Sequence, residues 1–490
     1  MVRRPLTAAV CVLLTLALAM PALAQGGGFA GSRRLREAVT VSGLVRHLRA
    51  LDAIGDRHDE TRASGTSGYN ASVRYVTGRL RAAGYDVRKQ RFVFDFFDEL
   101  SPPVLEQVSP KQVTYEEGVD FATMDYSGSG NVTAELVAVD LTLPPTNEPS
   151  STSGCEDEDF PADVDGNIAL IQRGTCLFRD KAVNAQEAGA IGVVIFNEGN
   201  PTDPTRIELL TGTLSPPALD VPVVGTTFAL GEELANGATS GPTGVSVHLK
   251  TETISERRPT YNVIAETPEG NPRNVVMAGA HLDSVTDGPG INDNGSGVAG
   301  ILEVALQMAR LDIDPRNKVR FAFWGAEEAG LIGSTYYVDN LSRRQLRNID
   351  LYLNFDMIGS PNYVRFVYDG NGSAFGIRGP RGSGAIERAF AAYFRHVSLA
   401  SGETPFNGRS DYQAFIDAGI PAGGLFTGAE GIKTEEEEEI YGGRAGVPYD
   451  PCYHEFCDQL GNVDRSVLHQ MADAIAHVVY RYSQDTSSLN

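Results

Sequence analysis

The amino-acid sequence predicts an α/β fold: a mixed, largely parallel sheet covered by helices, with a smaller β-rich domain inserted near its start. Two observations carry this. From Tyr261 onward short apolar runs alternate with stretches of helical period, the pattern of strands joined by crossover helices. Between about residues 108 and 250 the character changes to short β-like runs broken by Pro, Gly and Ser. At 490 residues the chain is too long for one small core, and roughly 100–200 residues per domain makes two or three units the expectation. A composition of 42% hydrophobic and 21% charged residues suits a soluble globular protein.

The N-terminus reads as a targeting segment. Arg3 and Arg4 precede an apolar run over 6–20 and then Ala22-Leu23-Ala24, the basic region, hydrophobic stretch and small-residue cleavage site of a secretory signal. Residues 1–24 are expected to be removed after Ala24 and the mature chain to be secreted. The apolar run is shorter than the ~20 residues that cross a bilayer, and no later segment qualifies, so no membrane span is expected in the mature chain. The surroundings of Arg3-Arg4 match a twin-arginine signal poorly, which favours the general secretory route. Loss of those two arginines moves the formal charge from −22 to −24, an acidity that argues against nucleic acid or an anionic membrane as partner. Cys11 leaves with the signal. The other four cysteines form two local pairs, Cys155 with Cys176 and Cys452 with Cys457, expected as disulfides in an exported chain.

Residues 25–35, Gly-rich and then basic, are expected to be a disordered leader. The first part of the main domain, 36–107, opens with Leu44, Val45, Leu48, Leu51 and Ile54 at helical spacing. A second amphipathic helix runs through Val73, Val76, Leu80 and Ala83 to Gly84, and a strand is expected over 87–96. Within the insertion, 108–250, strands are expected over 167–172 and 192–196 with a helix over 178–188 between them. The main part, 251–485, then alternates: strands over 262–267 and 274–280, helix 297–311, strand 319–324, helix 332–340, strands 351–356 and 364–369, helix 384–393, strand 422–426 and a last helix over 464–483. The acidic run 435–439 reads as a solvated loop.

In such sheets functional groups gather beyond the carboxyl ends of the strands. His281 follows one expected strand, Glu327 and Glu328 follow a second, and Asp356 ends a third. Asp293 sits in the turn Gly290-Ile291-Asn292-Asp293-Asn294-Gly295 that opens a helix, and His454 lies in Asp450-Pro451-Cys452-Tyr453-His454-Glu455-Phe456-Cys457-Asp458. Each residue alone has a plainer reading as a cap or hydrogen-bonding group. Jointly, two imidazoles and three carboxylates supply the ligands of two zinc ions sharing one carboxylate, with Asp293 the candidate bridge. The absence of thiolates from the set suits a catalytic rather than a structural zinc.

The remaining residues fall into roles around that set. Asp283, two residues after His281, is placed to orient the imidazole through its second ring nitrogen. Adjacent carboxylates on extended backbone point in different directions; Glu328 is therefore read as the ligand and Glu327 as the general base for an attacking water that bridges the metals. The Cys452–Cys457 bridge would hold the loop that presents His454 and Tyr453, leaving the Tyr453 phenol to donate to an oxyanion. No Gly-Lys-Ser/Thr follows the Asp293 turn, which excludes a phosphate loop.

At these residues a family resemblance emerges. The chain from Ala280 to Asp458 resembles the exported di-zinc aminopeptidases of the bacterial leucyl aminopeptidase and aminopeptidase Y type, and the segment from Gly166 to Val194 resembles the protease-associated (PA) domain inserted in several exported peptidases. The resemblance implies a zinc-exopeptidase fold and release of N-terminal residues, large apolar ones such as Leu being expected, from peptides or proteins with a free N-terminus. By resemblance Asp293 bridges, His281 and Asp356 complete one zinc, and Glu328 and His454 the other. Arg409 in Gly408-Arg409-Ser410-Asp411, and Phe426, are implied to shape the substrate site. A calcium site, and cobalt or manganese in place of zinc, stay open, and a monomer is expected.

Three rivals share that implied fold. A carboxypeptidase of the glutamate carboxypeptidase type would need a cation for a free carboxylate; the acidic balance disfavours it, while Arg409 and Arg444 leave it open. A glutaminyl cyclase would use one metal. A receptor-like, non-catalytic binder would have lost ligands or base, and the full set is present.

Overall fold

A computed structural model describes residues 28–147 and 149–489. The signal expected over 1–24 and the first residues of the leader lie outside the described residues.

The main sheet runs in the order Gly402–Thr404, Phe366–Tyr368, Ala422–Phe426, Ile349–Phe355, Asn271–His281, Asn317–Trp324, Gly241–Glu266. Its central pairings, Asn317–Trp324 with Asn271–His281, then Ile349–Phe355, then Ala422–Phe426, are parallel, and the flanking ones to Gly241–Glu266 and Phe366–Tyr368 are antiparallel. Parallel strands covered on both faces read as continuous apolar runs. Val276, Ala278 and Ala280 accordingly join one core while Val275 and Met277 join the other. The larger core lies under the helices Val41–Gly55, Ser67–Ala82, Gly295–Arg310, Ser383–His396 and Arg465–Gln484. The smaller lies under Ile332–Asp339 and Tyr412–Asp417. Side-chain caps start several of these helices: Thr40 accepts the Gly43 N–H at 3.2 Å, and Asp464 accepts the Ser466 and Val467 N–H groups at 2.8 Å.

The inserted layer is tied to the main sheet without a break. Asp86–Ser109 and Gly241–Glu266 pair antiparallel from Asp86 opposite Glu266 to Ser109 opposite Ser246. The second of them then pairs with Gly130–Val139, which begins a parallel run through Ile168–Gln172, Gly192–Phe196 and Val223–Thr226, closed by Phe121–Thr123 antiparallel at the edge. The expected strands over 87–96 and 262–267 are thus the ends of two much longer ones. Pro102 and Pro103 hid the continuation, and the ladder passes them only with register shifts.

Two expectations are corrected. Residues 28–35 do not form a disordered leader: Phe29–Ala38 is a helix whose Leu35 is wholly buried, with Ser32 Oγ 2.8 Å from His477 Nδ1 and the Phe29 ring stacked on His396 and His477. Its polar composition is overridden by docking on the last helix, a contact no local pattern reveals. The acidic run 435–439 is not a loop but the body of the helix Glu435–Tyr441. Thr434 and Glu437 form a capping box there, and acidic groups in a first turn favour the positive end of the helix.

Candidate metal centre

The strands aim the expected ligands at one point. His281 ends its strand opposite Trp324 of the neighbouring strand, so the turn after Trp324 brings Glu327 and Glu328 alongside the imidazole. Asp356 follows Ile349–Phe355 on the other flank. Asp293 reaches the same place because the start of the helix Gly295–Arg310 packs against that strand end: Asn294 Nδ2 donates to the Phe355 carbonyl at 3.0 Å, and a Cβ on Gly297 would collide with the same carbonyl. The backbone takes left-handed φ at Ala326, Met357 and His454, at 54°, 50° and 59°. Such φ is uncommon outside glycine and concentrates at functional sites.

The geometry is that of two ligand sets joined by one carboxylate. His281 Nε2 lies 3.1 Å from Asp293 Oδ1 and 3.2 Å from Asp356 Oδ1. His454 Nε2 lies 3.4 Å from Asp293 Oδ2 and 3.2 Å from Glu328 Oε2. Ligand atoms ~2.0–2.2 Å from a tetrahedral zinc stand roughly 3.3 Å apart, so these separations are edges a zinc polyhedron accepts. Donor atoms of His281, Glu327 and Asp356 also fall within 4.8 Å of one another, which puts Glu327 against the first set.

The electrostatics ask for cations. Burial raises the Glu327 carboxyl well above its ordinary range, with Asp411, Asp356 and Glu328 adding to the rise against the pull of His281. Glu328 is raised by burial and by Asp293, and its Oε1 is buried without a hydrogen-bond partner. Burial opposes charge on the imidazoles, yet the carboxylates outweigh it, holding His281 well above the ordinary value and pushing His454 up to about 11. Asp293 is held below the usual carboxylate range against its burial, by hydrogen bonds and charge from both imidazoles. Divalent cations bound between these groups would relieve the same repulsion among the carboxylates.

Asp283 does stand beside His281, but its main-chain carbonyl is nearer to Nδ1, at 3.2 Å, than its carboxylate, at 3.8 Å. The Asp283 carboxylate accepts the Glu327 N–H at 3.4 Å. Tyr453 stacks on His454 with ring centroids 3.8 Å apart and accepts from Arg409 Nη2 at 3.2 Å. Burial, with Asp293 and Glu328 close by, keeps the Tyr453 phenol protonated well beyond its ordinary range. Arg409 is also ion-paired to Glu430. Phe426, packed against Phe366, shares with Arg409, Tyr453 and the cluster a cavity of about 220 Å3. Both disulfides form, Cys155–Cys176 and Cys452–Cys457, the second closing the loop that carries His454.

Several supporting residues escaped sequence reasoning. Ser410 Oγ donates to Asp356 Oδ2 at 2.6 Å. Asp458 accepts the N–H groups of Asn292 and Asp293 at 2.8 and 2.9 Å, and Asn292 Nδ2 donates to Asp450 at 2.6 Å. Arg62, wholly buried, donates to the carbonyls of Leu282, Pro289 and Gly290, each at 2.6 Å, and so clamps the two ends of the loop between His281 and Asp293. Ser410 and Asp458 were at least inside motifs that stood out; Arg62 carried no local signal.

The model of peptidase family M28 matches residues 262–479 and that of the PA domain matches 132–234. An aminopeptidase of Pseudomonas aeruginosa is 49% identical over 92% of this chain and 82% of its own length. The chain belongs to peptidase family M28. Leucine aminopeptidase 2 of Trichophyton tonsurans is 40% identical to this M28 peptidase, over 92% of the chain and 86% of the relative. Among solved structures, the aminopeptidase from Aneurinibacillus sp. strain AM-1 superposes with a TM-score of 0.70 at 28% identity, covering 92% of this chain and 96% of that one. The zinc aminopeptidase of Bacillus subtilis reaches 0.63 at 25% identity, covering 90% and 95%. Among the described residues no helix is long and apolar enough to cross a membrane.

Proposed function

We propose that this M28 peptidase is an exported zinc-dependent aminopeptidase that frees the first residue, preferably a large apolar one, from peptides with an unblocked N-terminus. The observation that carries the reading is the division of Asp293, one carboxylate oxygen facing His281 and the other His454, each imidazole having a second carboxylate of its own. His281, Asp293 and Asp356 would hold one zinc, and Asp293, Glu328 and His454 the other. When bound, the pair supplies a water acidified to a pKa near ~7 and a Lewis acid for the peptide carbonyl.

The chain's own residues do the rest. Glu327 takes the proton released as the water oxygen bonds to the first peptide carbon, then passes it to the amide nitrogen as the C–N bond breaks, leaving a free amino acid and a shortened peptide. Tyr453, a neutral phenol at the rim, donates to the oxygen of the attacked carbonyl. The aromatic walls Phe366, Tyr368, Phe426 and Tyr449 of the 220 Å3 cavity receive the first side chain. Arg409 is already engaged by Glu430 and Tyr453, and Arg444 does not line the cavity, which weakens the carboxypeptidase reading.

The decisive assay compares a leucyl anilide bearing a free amine with its N-acetyl twin, before chelation, after it, and after zinc return. Chelator-sensitive cleavage of the free amine alone is expected. Cleavage of neither, with metal bound, would overturn the proposal in favour of a carboxypeptidase or a non-catalytic binder.

A further inference from the structure

A second cavity, of about 590 Å3, shares Glu328 and His454 with the first and otherwise has its own walls. Its acidic lining comes from three segments, the strand Asp86–Ser109, the loop that follows His281, and the inserted layer beside Phe121–Thr123, while Ala63, Ser64 and the turn Glu328-Ala329-Gly330 complete the wall. Its lining includes Asp98, Glu99, Glu117, Asp125 and Asp287, and among the described residues no lysine or arginine. Arg258, the cation nearest Asp98 in effect, is held over the Phe96 ring and by Glu256. Burial raises the Glu99, Glu117 and Asp125 carboxyls above the ordinary range, and the charge of Asp287 adds to this for Glu99 and Glu117.

We propose that this cavity receives the part of the peptide that follows the cleaved bond and selects peptides carrying Lys or Arg there over peptides carrying Asp or Glu. The inference rests on the aminopeptidase reading. Of the two spaces that meet at Glu328 and His454, the smaller, with its aromatic walls, suits a single first residue, and the larger is left for the remaining chain. An ammonium or guanidinium entering it meets the half-buried Asp98 and Glu99 and the exposed Glu117, Asp125 and Asp287, in a lining without lysine or arginine, gaining charge-assisted hydrogen bonds. A carboxylate entering it meets like charge. The inserted layer thereby acquires a role in specificity, through Glu117 and Asp125.

The test measures kcat/KM for Leu-Gly-Lys-Lys-amide and Leu-Gly-Glu-Glu-amide, with the leucyl anilide alongside, at low and high salt. The native enzyme is expected to favour the lysine peptide by about ten-fold at low salt, less at high salt. In the double variant Glu99→Gln, Glu117→Gln the ratio should fall towards one, and Glu117→Lys should lower it further, in both cases by faster turnover of the glutamate peptide. A gain on that peptide cannot come from misfolding. Equal rates for the two peptides in the native enzyme, or a ratio untouched by the substitutions, would overturn the inference. An anilide left uncleaved by metal-loaded protein would instead overturn the aminopeptidase reading beneath it.

Discussion

Asp458 accepts the main-chain N–H of Asp293 at 2.9 Å, so the residue placed between the two metal positions is held by a carboxylate 165 residues further along the chain. The same carboxylate takes the Asn292 N–H at 2.8 Å. Groups behind a metal ligand commonly control affinity by 10–100-fold. Asp458→Ala should therefore weaken zinc binding by roughly that factor while leaving some residual occupancy. Asp293→Ala should abolish paired occupancy altogether. Metal counting after dialysis against graded chelator separates the two, and full retention of both ions in Asp293→Ala would remove it as the bridge.

Glu327 lies against His281 and Asp356 yet is needed by neither set to complete its three ligands. Glu327→Ala should keep both metals and lose about 10²–10⁴-fold in kcat, the range a positioned general base contributes. Near-native turnover in that variant, with metal content confirmed, would rule out the base assignment.

Phe426 closes the smaller cavity together with Phe366. Removing its ring should loosen the fit to a large side chain more than to a small one. In Phe426→Ala the preference for leucyl over alanyl anilide should shrink by roughly ten-fold, within the discrimination an apolar pocket supplies per lost contact. An unchanged ratio would place the first side chain elsewhere.

Leu35 is 0% exposed in the helix Phe29–Ala38. Leu35→Ala should cost about 2–5 kcal/mol if that helix is part of the fold, seen as a lower thermal midpoint of the chain. A midpoint equal to the native one would show that the segment is dispensable, as a disordered leader would be.

His281, Glu327, Glu328 and Asp356 could be read directly, because short apolar runs mark parallel strands and parallel strands deliver the residues after them to one edge. The sequence by itself also determined the cysteine pairing, since each pair is local, and the central helices, whose caps and periodicity are written within a few residues. Only the tertiary structure decided the rest. The long pairing of Asp86–Ser109 with Gly241–Glu266, the docking of Phe29–Ala38, the clamp by Arg62 and the brace by Asp458 each join segments far apart in the chain. The acidic walls of the larger cavity do so too, being drawn from three segments that carry no shared local pattern. Local periodicity encodes how a segment meets water and core; which distant carbonyl, amide or carboxylate a polar side chain then meets is fixed by the packed chain as a whole.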